Sequence, residues 1–357
     1  MQIKKTIEKI PAGMMIVPLF LGALIRVIYP NPKLPTEFLP GFTGTFLTGT
    51  SVILFIWFVS VGATINLKTS GYVAKKGLTL LVGKVLLAGL LGIVVGHLLP
   101  GNGITSGAFA GLSALAVIAS FNETNGGLYM GIMTTLNRDE DAAGFPFISI
   151  ESGPFMTMIT MGVAGMASFP ITAFVSTLIP FVLGIILGSL DVEFRKFLAP
   201  VVPAMIPFFA LTLGFAIDLT AIFKSGLVGI LMAVAVVVIS GSVLSLLDRF
   251  ITGSDGVAGW AASSTAGAAV AVPSAIAQLA PQYAPIAGQA TAIVATSVLV
   301  TAILTPIITM QMEKRARRLG RKALPDKVAA KKEEYLKELA ATEEQKTVEV
   351  PVDHQAA

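Results

Sequence analysis

Long apolar runs separated by short polar connections make up the first 312 residues of the chain. An α-helix needs about 20 mostly apolar residues to cross the hydrocarbon core of a bilayer. On that measure the pattern predicts ten membrane-spanning helices, with nine or eleven as alternatives because two runs are interrupted. The predicted spans are roughly residues 11–29, 43–65, 78–99, 104–136, 144–166, 170–189, 199–217, 226–249, 257–280 and 287–311.

The fourth and ninth runs contain the interruptions, which read NETNGG (122–127) and SSTAGA (263–268). Asn, Ser and Thr compete for backbone hydrogen bonds and Gly frees the chain to turn, so both stretches predict broken helices. Paired half-helix ends at membrane depth form a site for an anionic or hydroxyl-rich solute. A surface loop between two short helices is the alternative for the first. The predicted substrate-binding residues are Asn122, Thr124, Asn125, Gly126, Ser263, Ser264, Thr265 and Gly267.

Four short motifs recur in the same order in both halves: Pro18 and Gly22 with Pro180 and Gly184, VGATINL (61–67) with LGFAIDL (213–219), KKGL (75–78) with KSGL (224–227), and ETNGGL (123–128) with STAGAA (264–269). They predict two five-helix repeats, residues 1–168 and 169–312. Because five is odd, the second repeat would be inverted. Residues 313–357 hold 11 of the 25 Lys and Arg residues and 9 of the 21 Asp and Glu residues, and predict a charged cytoplasmic tail.

Basic residues concentrate in alternate connections, which predicts the orientation because Lys and Arg near span ends are retained in the cytoplasm. The basic side has Lys4, Lys5, Lys9, Lys68, Lys75, Lys76, Arg138, Arg195, Lys196, Arg249, Lys314, Arg315, Arg317 and Arg318, against Arg26, Lys33 and Lys224 on the other. Ten spans with both termini in the cytoplasm fit this bias. An odd number would separate the two basic termini.

Acidic residues within the apolar runs are costly there and are candidates for coupling transport to protons. Glu151 is the first candidate, with a purely structural hydrogen bond as its alternative, and Glu123 is the second. Asp218 is the third, although it and its repeat counterpart Asn66 lie near span ends, where they could cap a helix or face water. Lys84 is expected either to snorkel or to pair with Glu123 or Glu151.

One further charged cluster, Arg138 to Asp141, lies in a predicted cytoplasmic connection and is interpreted as a solvated turn.

The composition indicates a membrane protein and argues against several other classes of function. The chain is 54% hydrophobic and 13% charged, with a mean hydropathy of +0.80, which is typical of an integral membrane protein. It has no Cys and two His, so thiolate chemistry and His-rich metal sites are not expected. No basic and aromatic patch suggests nucleic acid, and no nucleotide-binding loop is present. We expect neither metal nor cofactor.

The segments IPAGMMIVPLFLGALI, FAGLSALAVIA with TNGGLY, ESGPFMTMI and ASSTAGAAVAVP resemble the bacterial 2-keto-3-deoxygluconate permease family over residues 1–312. The resemblance implies a proton symporter for this sugar acid, with ten helices in two inverted repeats and two broken, crossing helices. The TNGG and ESGP motifs are intact here, at 124–127 and 151–154. The chain departs from the family pattern at Asn122, where an acidic residue is usual; here the acid is Glu123.

These observations predict a secondary transporter of the bacterial inner membrane that binds a small sugar acid and the lipid bilayer, works by alternating access, and couples uptake to protons. Sodium coupling is the nearer alternative, because unwound carbonyls with Asn and Thr side chains can hold Na⁺. An intramembrane enzyme using Glu123, Glu151 and Asp218 is a distant one. We also allow for a homodimer.

Overall fold

The computed structural model describes residues 2–9, 13–28, 41–64, 71–99, 103–151, 153–216, 219–330 and 333, and within them the regular structure is helical. In the first half the α-helices are Ile3–Ile7, Gly13–Ile28, Phe42–Thr48, Thr50–Thr64, Gly71–Leu98, Ala114–Asn122, Gly126–Thr135, Asp139–Ala142, Phe145–Ile148 and Pro154–Val163. In the second half they are Ile171–Leu190, Val192–Leu198, Val201–Ala216, Leu219–Ala235, Gly241–Leu247, Val257–Ala261, Val272–Leu279 and Ala284–Arg318.

Four helical stretches in the described ranges are long and apolar enough to cross a membrane: Gly71–Leu98, Val192–Thr212, Gly226–Thr252 and Pro281–Arg318. Four shorter apolar helices accompany them: Phe55–Thr64, Pro154–Val163, Leu178–Leu190 and Ala268–Leu279. Within the described residues the architecture is therefore all-helical, with helices that could span a membrane, and the total of ten spans stays a prediction.

The Gly71–Leu98 helix has apolar side chains on its outer face and polar ones inside. Leu78, Val82, Leu86 and Leu90 recur at every fourth position and are 43%, 50%, 67% and 60% exposed. Lys84, on the opposite face, is fully buried. Water would favour the reverse arrangement, so this distribution suits a helix surrounded by hydrocarbon.

Two glycines let helices from different halves approach closely. A Cβ on Gly22 would overlap the Leu211 carbonyl oxygen and lie 2.8 Å from the Phe215 nitrogen. A Cβ on Gly184 would likewise overlap the Val59 carbonyl oxygen and lie 2.8 Å from the Ala63 nitrogen.

These contacts match position for position in the aligned motifs. Gly22 and Gly184 each follow a helix proline by four residues, and Ala63 and Phe215 are the third residues of VGATINL and LGFAIDL. Gly13–Ile28 therefore packs on Val201–Ala216, and Ile171–Leu190 packs on Thr50–Thr64, so the first predicted span of each half lies against the second predicted span of the other.

One end of the helix assembly is joined by buried ion pairs. Lys76 Nζ lies 2.5 Å from Asp141 Oδ1 and 3.4 Å from Asp248 Oδ1. Arg138 Nη1 donates to Asp255 Oδ1 at 3.0 Å, and Arg138 Nη2 also pairs with Glu313. These contacts join segments from both halves of the chain.

The interpretation of residues 138–141 as a solvated turn is wrong for two of its members. Arg138 is 7% exposed and Asp141 is 2% exposed, because partners distant in the sequence cover them. Burial raises the pKa of the Asp141 carboxyl, and the neighbouring Lys76 ammonium opposes that rise.

The last helix also runs beyond residue 312, where the sequence pattern placed the start of the tail. It ends at Arg318, and Glu313 is buried in the ion network rather than solvated. At the opposite end of the assembly, the Tyr283 hydroxyl donates to the Met166 carbonyl at 3.0 Å and the Gln289 amide to the Thr105 carbonyl at 3.4 Å.

Candidate functional site

The first predicted interruption is a true break between two helices. Ala114–Asn122 ends before an unwound stretch, residues 123–125, and Gly126–Thr135 begins after it. Asn125 starts the second helix, since its side-chain oxygen accepts the Leu128 N–H at 3.1 Å. Gly126 permits close packing, because a Cβ there would overlap the Phe145 ring. The surface-loop alternative is wrong, since Asn122, Glu123 and Thr124 are at most 3% exposed.

The second interruption is longer. Val257–Ala261 is followed by irregular chain at residues 262–267 and by a 3₁₀ turn, Ala268–Ala271, which Gly267 begins. Hydroxyl groups of the last helix satisfy its backbone: Thr301 Oγ1 accepts the Thr265 N–H at 3.1 Å, and Thr305 donates to the Ser263 carbonyl at 3.0 Å.

The two breaks contact each other through reciprocal hydrogen bonds, and this region of contact is called the crossing below. The Thr124 hydroxyl donates to the Ala262 carbonyl at 3.3 Å, and the Thr265 hydroxyl to the Ser120 carbonyl at 2.9 Å.

The backbone amides beside them repeat this exchange. The Ala266 N–H donates to the Glu123 carbonyl at 3.0 Å, and the Asn125 N–H to the Ser264 hydroxyl at 3.0 Å. Each break therefore supplies hydrogen-bond partners for backbone groups of the other break, which find no water in the apolar surroundings.

Lys84 donates hydrogen bonds to two backbone carbonyls of the second break. Its ammonium donates to the Ala262 carbonyl at 2.7 Å and to the Ser264 carbonyl at 2.5 Å. The side chain is fully buried, so it does not snorkel. The expected direct pair with Glu123 or Glu151 is absent from the described contacts. Both carboxylates act on the ammonium through charge alone.

Glu151 and Glu123 lie together beside the first break. Oε1 of Glu151 accepts the Thr124 N–H, whereas its Oε2 has no hydrogen-bond partner among the described residues. The Gly153 N–H lies close to the Glu123 carboxylate, yet neither Glu123 oxygen makes a well-aligned hydrogen bond within the described ranges. Both side chains are fully buried.

The chain is irregular around Glu151, where the pattern predicted a continuous span over 144–166. A 3₁₀ turn, Ser149–Glu151, precedes the helix Pro154–Val163. This helix begins at Pro154 because Gly153 adopts φ +90°, which is not helical, and proline is favoured in the first helical turn.

Two more acceptor atoms at the crossing lack partners among the described residues. Asn122 donates to the Thr157 hydroxyl at 3.3 Å, but its Oδ1 is unpaired, as is Ser120 Oγ. Buried polar atoms without partners are rare in folded proteins and often mark positions for water, ions or ligands.

The predicted site residues do not all lie with free polar groups at the crossing. The predicted binding residues flank the crossing, but the Thr265 and Ser263 hydroxyls are already hydrogen-bonded to Ser297 or Ser120 and to Trp260. Asp218 and Asn66 lie outside the described residues.

The hydroxyl stripe on the last helix, which supports the second break, was not predicted. Its signal was present, because the buried polar residues recur at every fourth position: Ser297, Thr301, Thr305, Thr309 and Glu313.

Apolar outer faces, buried hydrogen-bonded polar groups and helices of spanning length define an integral membrane protein. The family profile described as KdgT: 2-keto-3-deoxygluconate permease matches residues 4–318, and the chain belongs to this family, as its motifs predicted. A Bacillus subtilis (strain 168) relative named 2-keto-3-deoxygluconate permease is 54% identical over 327 residues, which is 92% of this chain and 98% of the relative.

Two Escherichia coli relatives with the same name are 49% and 48% identical over 309 residues, which is 87% of this chain and 94% of each relative. A permease is a transporter rather than an enzyme.

Proposed function

We propose that this protein is a secondary active transporter that imports 2-keto-3-deoxygluconate, or a closely related sugar acid, by proton symport with alternating access. The observation that carries the proposal is the pair of buried carboxylates, Glu123 and Glu151, at the crossing of two broken helices. We propose that their unpaired oxygens bind the proton beside the solute.

The solute chemistry fits the polar groups of the crossing. A sugar acid has hydroxyls that donate hydrogen bonds and a carboxylate that accepts them. Unpaired acceptors of Ser120, Asn122 and Glu123 suit the hydroxyls. The N–H groups at the start of Gly126–Thr135 suit an anionic group, because a helix N-terminus carries a partial positive charge.

Proton coupling follows from the number of charges in the crossing. Lys84 supplies one positive charge, whereas Glu123 and Glu151 supply two negative charges when both are ionised. An uncompensated charge is costly in the membrane interior. Binding of one proton balances the charges, and Glu151 and Glu123 are the proposed sites, with Asp218 as a third candidate.

Ten spans in two inverted repeats remain our proposed architecture, with both termini in the cytoplasm of a bacterial inner-membrane protein. The matched contacts of Gly22 and Gly184 support the duplication. The proposed topology also puts the members of the ion network on one side of the membrane, and Met166, Tyr283 and Thr105 on the other.

Single cysteines would test this topology, because the natural chain has none. We expect Ser106→Cys to react with a membrane-impermeant maleimide added outside intact cells, and Lys75→Cys to react only after the membrane is permeabilised. Both positions are exposed. Equal reactivity of the two in intact cells would contradict the orientation.

Transport itself would be tested with labelled 2-keto-3-deoxygluconate in proteoliposomes under an imposed pH gradient. We expect accumulation that disappears when a protonophore collapses the gradient. Glu151→Gln should abolish accumulation while leaving exchange of labelled for unlabelled solute, because exchange needs no net proton movement. Glu193→Gln is the matched control, since that carboxylate is exposed and pairs with the exposed Lys196.

Two results would overturn parts of the proposal. Accumulation that survives collapse of the pH gradient would remove proton coupling, and uptake that depends on Na⁺ at fixed pH would favour sodium coupling instead. Full accumulation by Glu151→Gln would remove that residue from the coupling step. Release of a chemically altered product would revive the enzyme alternative.

A further inference from the structure

Lys84 binds carbonyls of unwound backbone, the groups with which carriers that have broken helices hold their coupling cations. Unwound backbone carbonyls at the midplane of such carriers coordinate Na⁺ or serve proton sites. Here the carbonyls of Ala262 and Ser264 converge on one point, and the Lys84 ammonium lies there at 2.7 Å and 2.5 Å. The cation bound by these carbonyls is therefore a side chain of the protein itself.

The surroundings of the ammonium suit a cation site in charge as well as geometry. The charged groups that act on it are Glu151 and Glu123. The Thr124 hydroxyl shares the Ala262 carbonyl with it at 3.3 Å and joins the site to the first break. An ammonium has three donors, of which the described contacts use two.

We infer that the Lys84 ammonium takes the place of a sodium ion in the crossing and thereby makes this transporter selective for protons. With the carbonyl site permanently filled, Na⁺ has no vacant coordination shell there. The remaining negative charge of the Glu123 and Glu151 pair is then neutralised by a proton. The inference rests on the proposed function and adds the origin of its ion selectivity.

The test removes the ammonium and asks whether an external cation can replace it. Lys84→Ala deletes the atoms from Cγ to Nζ, which n-propylammonium reproduces. Lys84→Met keeps most of the side-chain volume without the charge, so it leaves no space for that amine. Lys75→Ala is the control, because Lys75 is an exposed residue of the same helix.

Uptake is measured in proteoliposomes under a pH gradient with choline, Na⁺ or n-propylammonium as the only added monovalent cation. Wild type should take up solute equally in choline and Na⁺. Because neutral n-propylamine crosses the bilayer and shifts the pH gradient, each variant is compared with wild type in the same cation, and Lys75→Ala should match wild type in all three. Lys84→Ala in choline should be slower by about tenfold or more, the factor that corresponds to loss of a charged hydrogen bond. Na⁺ and n-propylammonium should each restore part of its rate, and Lys84→Met should gain nothing from the amine.

Thermal unfolding of the same preparations in detergent gives a readout independent of transport. Na⁺ in place of choline should raise the Tm of Lys84→Ala and leave that of the wild type unchanged. If Lys84→Ala does not fold, Na⁺-dependent uptake or a Na⁺-dependent Tm of the wild type would still refute the inference.

Other outcomes separate this inference from the transport proposal. Wild-type uptake with full activity of Lys84→Ala in choline would refute the role of Lys84 and leave proton symport standing. A folded Lys84→Ala that neither cation restores would also refute it. Absence of any pH-driven uptake by the wild type would instead refute the proposed function, while the effect of Na⁺ on the Tm of Lys84→Ala would still report on the cation site.

Discussion

Replacement of Gly22 or Gly184 by alanine should destabilise the protein by similar amounts. The new methyl group at either position would overlap a backbone carbonyl oxygen of the facing helix and lie 2.8 Å from a backbone nitrogen. Ordinary carbon contacts are about 3.5 Å or longer, so each helix pair would have to separate by roughly 1 Å. The facing atoms belong to backbone, which cannot rotate away.

The size of the effect follows from two opposing contributions. Forcing extra volume into a packed interface costs about 1–3 kcal/mol, and an alanine in a helix interior gains about 0.5–1 kcal/mol over glycine. We therefore expect a net loss of up to about 2.5 kcal/mol for each variant, and of about 1–3 kcal/mol relative to a glycine-to-alanine change in a helix that meets no overlap. The two contacts share no residue, so the double variant should lose about the sum.

Unfolding in detergent, followed by Trp fluorescence, would measure these differences. Trp57 lies near one interface and donates to the Val202 carbonyl at 3.2 Å, so its emission should report helix separation. Gly288→Ala is the control, since a Cβ there has no atom within 4 Å. If Gly22→Ala and Gly184→Ala are as stable as this control, the close packing is refuted; if only one is destabilised, the equivalence of the two halves fails.

Three further predictions concern the ion network and the second break. Arg138→Met should cost about 3–5 kcal/mol in unfolding experiments because it leaves buried carboxylates unpaired, whereas Lys196→Met, in an exposed pair, should cost at most about 1 kcal/mol; equal effects would contradict burial of the network. Thr305→Val should cost about 1–3 kcal/mol, since the Ser263 carbonyl loses its donor, and an unchanged Tm would contradict that bond. Because burial raises the pKa of Asp141 above its unfolded value, its contribution to stability is present at low pH and lost as the pH rises through the raised pKa; Asp141→Asn should flatten that part of a Tm-against-pH curve, and an unaltered curve would refute the assignment.

Features that depend on a few neighbouring residues were predictable from the sequence. The polar stretches at 122–127 and 263–268 break their helices because Asn, Ser, Thr and Gly weaken helices wherever they cluster. The position of Lys84 inside an apolar run left snorkelling and pairing with a carboxylate open, and the burial of its side chain excludes the first. The recurring motifs also identified Gly22 and Gly184, although their exact contacts became visible only in the structure.

Features that depend on distant partners were not predictable in the same way. Arg138 belongs to a cluster with the composition of a solvated turn, and its burial is decided by Asp255 and Glu313, which lie 117 and 175 residues away. Similarly, an ion pair with Glu123 or Glu151 was one of the two expectations for Lys84. The structure gives it two carbonyls instead, because the second break exposes backbone acceptors that no sequence pattern reveals.

The charges at the crossing suggest how a proton would change the shape of the site. A broken helix exposes N–H groups with partial positive charge and carbonyls with partial negative charge. Glu151 binds the Thr124 N–H of the first break, and Lys84 binds the Ala262 and Ser264 carbonyls of the second.

Protonation of Glu151 would weaken the first contact, because a charged acceptor binds an N–H more strongly than a neutral one. The second contact would remain, so proton binding should loosen one break and not the other. Glu151→Gln mimics the protonated form, and hydrogen exchange should then be faster at residues 124–128 and unchanged at Thr265, whose N–H donates to Thr301 and not to the first break. Equal acceleration at both places would mean that the crossing opens as a unit, and no change at either would mean that Glu151 does not hold the first break.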